Sequence, residues 1–187
     1  KKKSFSSLID IGSGSGCIAT TLALEISNIN IDAIDKSDIA LETTISNVNY
    51  YACSNIINTY RCNILKELPK NKYDIIVSNP PYIPSKEINN LEHSVKYYDP
   101  LDALTDHSDG MNFYKRIADI SKFILNKNGL IIFEFGTEDQ EKKIIDLFYS
   151  YPYQTFNDLD GKPRIIMFQL WSFYLLSFFF LDLSILL

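Results

Sequence analysis

The chain has 187 residues, 46% of them hydrophobic, enough to bury the core of one domain and too few to suggest two. Its net charge of −5, from 18 basic and 23 acidic residues, argues against a partner gripped through phosphates, so nucleic acid is not expected. Three cysteines, Cys17, Cys53 and Cys62, are an odd number without CxxC spacing, which argues against a disulfide framework or a metal site and points to a reducing cytoplasm.

In chain order, residues 1–4 carry charge with no apolar segment behind it, so no secretory signal is predicted. Residues 6–12 (SSLIDIG) read as a short buried strand ending at glycine, and 17–26 as a helix. A strand follows at 29–35. Ser37 is a candidate N-cap for a helix with apolar spacing through 40–48. Strands are predicted at 55–60 and 73–78. Residues 79–110 show little periodicity, and loops that long inside a compact domain are usually functional. A helix near 113–125, a strand at 129–135, a helix at 138–150 and closing strands at 153–158 and 164–170 complete the pattern. Alternating strands and helices with continuous apolar strands predict a mostly parallel α/β sheet.

The chain ends in an apolar run, 168–187, about long enough to span a bilayer. Asp182 lies inside it and no Lys or Arg follows, so a membrane anchor is not expected. The expected division is a domain over 1–170 and a tail of unknown role over 171–187.

Three motifs carry chemistry. Asp10-Ile11-Gly12-Ser13-Gly14-Ser15-Gly16 lies between the first strand and the first helix, where glycines let the backbone turn tightly and bring N–H groups close to a ligand. Its spacing is GxGxG, without the GxGxxG of dinucleotide binders or the GK[ST] of a P-loop, so pyrophosphate is the weaker reading. Asp35 ends the second strand, where a carboxylate can accept both hydroxyls of a ribose. A glycine loop without phosphate spacing plus a ribose acid points to S-adenosylmethionine.

The third motif is Asn79-Pro80-Pro81-Tyr82, at the carboxyl end of the fourth strand, where open α/β sheets bind ligands. The Asn79 side-chain carbonyl and the Pro80 backbone carbonyl are two acceptors able to grip the hydrogens of a planar NH₂ group. The prolines stiffen the turn, and the Tyr82 ring can lie against a flat substrate. No general base is needed, so His93 and His107 read as loop residues and Glu134 as structural. No metal site is expected.

The segments LIDIGSGSGCIA, AIDKSDIALE, YDIIVSNPPYIP, YYDPLDALTDHSDGMNFY, NGLIIFEFG and DLDGKPRIIMF together resemble the HemK/PrmC family of protein-glutamine methyltransferases. The NPPY tetrapeptide is shared with adenine amino-methyltransferases, and the segment 99–110 is what points to the glutamine family. The resemblance implies a class I, Rossmann-like methyltransferase with a seven-stranded sheet in the order 3-2-1-4-5-7-6, strand 7 antiparallel. It implies methylation of the glutamine in the GGQ loop of peptide-chain release factors. Gly12 to Gly16 would then wrap the methionine part of S-adenosylmethionine, Asp35 would take the ribose, and Asp10 would count among the cofactor-binding residues. Asn63-Ile64 would lie near the adenine, where the family normally has Asp and an aromatic. Asn79, Pro80, Pro81 and Tyr82 would hold the glutamine amide, with Asn79 also bordering the cofactor. The family's helical N-terminal domain is expected to be absent here. The rival readings are an amino-methyltransferase acting on adenine or cytosine, and an inactive truncated or fused domain.

Overall fold

The computed structural model describes residues 5–93 and 99–170. Residues 1–4, the Tyr97-Tyr98 pair and the apolar tail 171–187 lie outside the described residues. Seven strands form one sheet: β1 (Ser7–Ile11), β2 (Asn30–Asp35), β3 (Ile57–Arg61), β4 (Tyr73–Ser78), β5 (Leu125–Glu134), β6 (Tyr153–Asn157) and β7 (Pro163–Gln169). Their order is β3-β2-β1-β4-β5-β7-β6, with β7 antiparallel to both neighbours, as the resemblance implied. The helices are α1 (Cys17–Glu25), α2 (Asp38–Tyr50), α3 (Leu101–Leu104), α4 (Asn112–Ile124) and α5 (Glu138–Leu147).

The continuous apolar strands follow from burial on both faces. Alternate side chains of a strand point to opposite sides, so each strand feeds two cores. Ile9, Ile76, Ile131 and Phe133 pack with Tyr114, Ile117 and Ile144 of α4 and α5. Leu8, Ile75, Val77 and Ile132 pack with Ala19 and Leu22 of α1 and Val48 of α2. Ser37 caps α2 as expected, its side chain accepting from the Ala40 amide, and Thr137 caps α5 in the same way.

Four details depart from the sequence reading. β3 begins at Ile57 and not at 55, because the Cys53 carbonyl accepts from both the Ile56 and Ile57 amides in a turn. α5 stops at Leu147, short of 150. β5 starts at Leu125 because Leu125 pairs with Tyr73 before the register shifts to Ile75–Leu130. The segment 79–110 holds a 3-10 turn, Ser85–Asn90, and α3, each entered through a proline with φ near −60°, Pro84 and Pro100. These turns are too short to leave a helical period in the sequence.

Asp74 ties three strands at the base of the sheet. Its Oδ2 accepts from the Ser6 amide at 2.9 Å and the Ser7 hydroxyl at 3.2 Å, and its Oδ1 from Asn126 at 3.1 Å. Burial pushes this carboxyl up, but hydrogen bonds from Ser6, Asn126 and Ser7 outweigh it and hold it below the usual aspartate value. The unfolded chain therefore takes up a proton at higher pH than the folded one. Stability from Asp74 is complete above about pH 4 and drains as pH falls through the lower folded value. Asp74→Asn is expected to flatten this acid limb in urea denaturation between about pH 2 and 5. An unchanged limb would contradict the assignment.

Candidate active site

The glycine loop opens at the carboxyl end of β1. Gly12, Gly14 and Gly16 have φ of 74°, 57° and 75°, the left-handed region that side chains disfavour. A Cβ at Gly12 or Gly14 would meet nothing within 4 Å, so backbone is bare there. At Gly16 it would lie 2.7 Å from Thr44 Cγ2, so this glycine serves close packing against α2. α2 also grips the loop through polar bonds: Thr44 Oγ1 donates to the Gly14 carbonyl at 3.0 Å and Asn47 Nδ2 to the Ser15 carbonyl at 2.8 Å. Ser13 Oγ faces Thr44 Oγ1 at 3.3 Å.

Two carboxylates flank the loop. Asp35 accepts from the Gly14 amide at 3.1 Å and the Ser37 amide at 2.9 Å, and it is half-buried. A carboxylate has about four lone-pair directions, so both oxygens can accept further hydroxyls. Asp10 is 1% exposed, with Oδ2 accepting from the Ala19 amide in the first turn of α1. Its Oδ1 is buried without a partner among the described residues. Burial pushes the Asp10 carboxyl up to about 7, opposed by the Ala19 amide and reinforced by the negative Asp35.

Across the cleft, Ser78 ends β4 with its hydroxyl donating to the Ile11 carbonyl at 2.7 Å, which joins the two strand ends. Asn79 then stands exposed. Among the described residues no hydrogen bond claims its carboxamide or the Pro80 carbonyl. Pro80 is buried, and Pro81 and Tyr82 are half-buried. The turn is clamped from behind by Gln140 of α5, whose Nε2 donates to the Tyr82 carbonyl at 2.6 Å and whose Oε1 accepts from the Gly136 amide at 3.0 Å. A Cβ at Gly110 would lie 2.2 Å from the Tyr82 oxygen, and one at Gly136 2.9 Å from the Tyr82 ring. Beside the clamp opens a cleft of about 610 Å³, lined by Pro84, Ser85, Ser108, Thr137 and Gln140.

Glu134 makes a long, weak contact of 3.4 Å with the Tyr82 hydroxyl. Burial raises its carboxyl above the usual value, against Tyr82 and Arg164, which lower it. The DLDGKPR segment is a hairpin tied to the end of β5, where the Phe135 amide donates to the Arg164 carbonyl at 2.9 Å. Asp158 holds Arg164 Nε at 3.1 Å, while Arg164 Nη1 donates to the Gly136 carbonyl.

The structure thus brings the glycine loop, Asp10 and Asp35 to one side of Asn79, and the clamped turn to the other. Asn63 and Ile64 fit the expected adenine role less directly. Asn63 Oδ1 already accepts from the Leu65 amide at 3.2 Å, and Ile64 is 4% exposed, its side chain filling the core. Gln140, Gly136, Thr44 and Asn47 were not singled out from sequence. The glycine at 136 is the one local signal that a close approach occurs there. Among the described residues no group of three or more His, Cys, Asp or Glu could hold a metal ion, and no helix is long and apolar enough to cross a membrane.

The profile of the methyltransferase small domain family matches residues 1–95. A release factor glutamine methyltransferase of Bacillus subtilis is 35% identical over 164 residues, which are 85% of this chain and 56% of that protein. A bifunctional methyltransferase of Rickettsia felis is 35% identical over 88% of this chain and 32% of its own length. The chain thus spans about half or less of these relatives. A methyltransferase from Pyrococcus furiosus superposes with a TM-score of 0.65 at 18% identity, covering 90% of this chain and 76% of that one. An O-methyltransferase family protein from Burkholderia thailandensis reaches a TM-score of 0.64 at 8% identity, over 91% and 52%. At such identities the superpositions speak for the fold.

Gly110→Ala is expected to cost about 1–3 kcal/mol, since it adds a Cβ at φ 78° against the Tyr82 carbonyl. Thermal denaturation should show Tm lowered by several degrees. An unchanged Tm would mean the turn has room that the packing denies.

Proposed function

From the premise that the chain belongs to the methyltransferase small domain family, we propose that it methylates the side-chain amide nitrogen of a protein glutamine, using S-adenosylmethionine. The substrate is the GGQ loop of a peptide-chain release factor, and the reaction takes place in the cytoplasm. The observation that carries this reading is Asn79: an exposed carboxamide with no hydrogen-bond partner among the described residues, on a turn that Gln140 and Gly110 hold rigid.

The residues present suit the cofactor. Bare backbone at Gly12 and Gly14 lets an elongated ligand approach closely. The orphaned Asp10 oxygen at the foot of the loop suits a cationic group, and Asp35 suits vicinal hydroxyls. Bound there, S-adenosylmethionine supplies a methyl group made electrophilic by its sulfonium.

The protein's own part is to overcome a poor nucleophile. An amide nitrogen lends its lone pair to the carbonyl, in the resonance that sets the roughly 18–20 kcal/mol barrier to peptide rotation. Asn79 Oδ1 and the Pro80 carbonyl accept its two N–H groups and orient the nitrogen toward the methyl carbon. Both contacts strengthen as positive charge grows on nitrogen, which is what lowers the barrier. Once the N–C bond has formed, the nitrogen yields a proton to water, so no side chain serves as base. The same acceptors would suit the NH₂ of adenine, but a net charge of −5 offers little grip on phosphates.

Labelled methyl transfer to a release factor, run beside the same assay on nucleic acid, tests the substrate. Label on nucleic acid alone would overturn the proposal. Asn79→Ala should lower kcat by about 10²–10³ while leaving the Kd for S-adenosylmethionine unchanged by calorimetry. Asp35→Ala should do the reverse, raising that Kd by roughly tenfold. Parallel losses of affinity and rate in Asn79→Ala would sink its role as an amide acceptor.

A further inference from the structure

Lys36 directly follows Asp35, and its Nζ lies 2.8 Å from Asp102 Oδ2 on α3. The other Asp102 oxygen lies 2.7 Å from Nε2 of His107. The same segment is fastened to the turn after β4, where the Ile83 amide donates to the Leu104 carbonyl at 2.9 Å and the Ser85 amide to the Ser108 carbonyl at 3.0 Å. In the sheet, β1 stands between β2 and β4. The segment therefore bridges two strand spacings, roughly 10 Å, across the strand end that opens into the glycine loop.

We propose that residues 101–107 form a strap over the cofactor cleft, and that Asp102 is a positioning residue whose pairing with Lys36 and His107 latches the strap and slows cofactor release. This rests on the methyl-transfer reading and adds to it a residue that neither glycine loop nor proline turn contains. Lys36 and His107 hold the Asp102 carboxyl below the usual range, so it stays charged through neutral pH. His107 stands at φ 60°, a left-handed backbone conformation uncommon outside glycine, and there its ring lies 2.7 Å from the Asp102 carboxylate. The three side chains are 37%, 59% and 56% exposed, so the pairs are screened and individually weak. Their leverage comes from position. Among the described residues, the polar fastening of the strap on the β2 side is this pairing; Ile83 and Ser85 hold it to the turn after β4, and Asp106 accepts from the Gly110 and Asn112 amides at the start of α4.

The test measures dissociation of S-adenosylmethionine by stopped flow and hydrogen exchange at the Thr105 and His107 amides. Asp102→Ala and Lys36→Ala should each speed dissociation by roughly two- to fivefold and quicken exchange, with Tm unmoved. The double variant should go no further than Asp102→Ala alone, which already removes both pairings. Reversing the charges, Lys36→Asp with Asp102→Lys, should bring the rate back toward the wild type. An unchanged dissociation rate in Asp102→Ala, or effects that add in the double variant, would overturn the latch. A wild type that binds no cofactor counts against the methyl-transfer reading instead, and exchange in the unliganded protein then decides the strap by itself.

Discussion

The acceptor half of the site depends on one carbonyl, that of Tyr82. Gln140 reaches it with its amide nitrogen and uses its oxygen to take the Gly136 amide. A carboxamide can do this because it carries donors and an acceptor on one rigid plane. Being 4% exposed, Gln140 makes both bonds away from competing water. The turn after β4, the end of β5 and the start of α5 are thereby fixed to one another. The absent side chains of Gly110 and Gly136 provide the room. Asn79 projects from a turn whose freedom was removed during folding, so little remains to be lost when a substrate is held.

The cofactor half is organised by a different principle. Its loop is built from residues that avoid side chains, and the order comes from outside it. Thr44 and Asn47 of α2 hold the Gly14 and Ser15 carbonyls, and Asp35 holds the Gly14 amide. Asp10 sits below with one oxygen satisfied by α1 and the other by nothing in the described protein. A buried acid in that state is costly unless it stays protonated or meets a cation. The Ser78–Ile11 bond then joins the two halves, which is why the proline turn and the glycine loop share one cleft edge.

Much of this was legible in the sequence because it was local. Continuous apolar strands, glycines at alternate positions, Ser37 before a periodic run and an acid closing β2 each report a nearby physical requirement. Legibility failed in 79–110, where the helical pieces are only six and four residues long, too short to repeat an apolar spacing, and the stabilising contacts come from elsewhere. At Ile64 the sequence could not tell burial from exposure, since an apolar residue after a strand looks the same whether it lines a cleft or fills a core. The Gln140 clamp spans 58 residues and the Lys36–Asp102 pair 66, distances over which no periodicity carries information.

By itself, then, the sequence determined the sheet, its order through resemblance, and the residue types at the cleft, because backbone constraints and alternation act between near neighbours. Only the tertiary structure decided which groups are left without partners. Among the described residues the Asn79 carboxamide is open while the Asn63 carbonyl oxygen is already engaged, and one Asp10 oxygen has no partner while both Asp74 oxygens do. Satisfaction of a polar group is a property of everything that folds around it. It exists only once the distant segments have met.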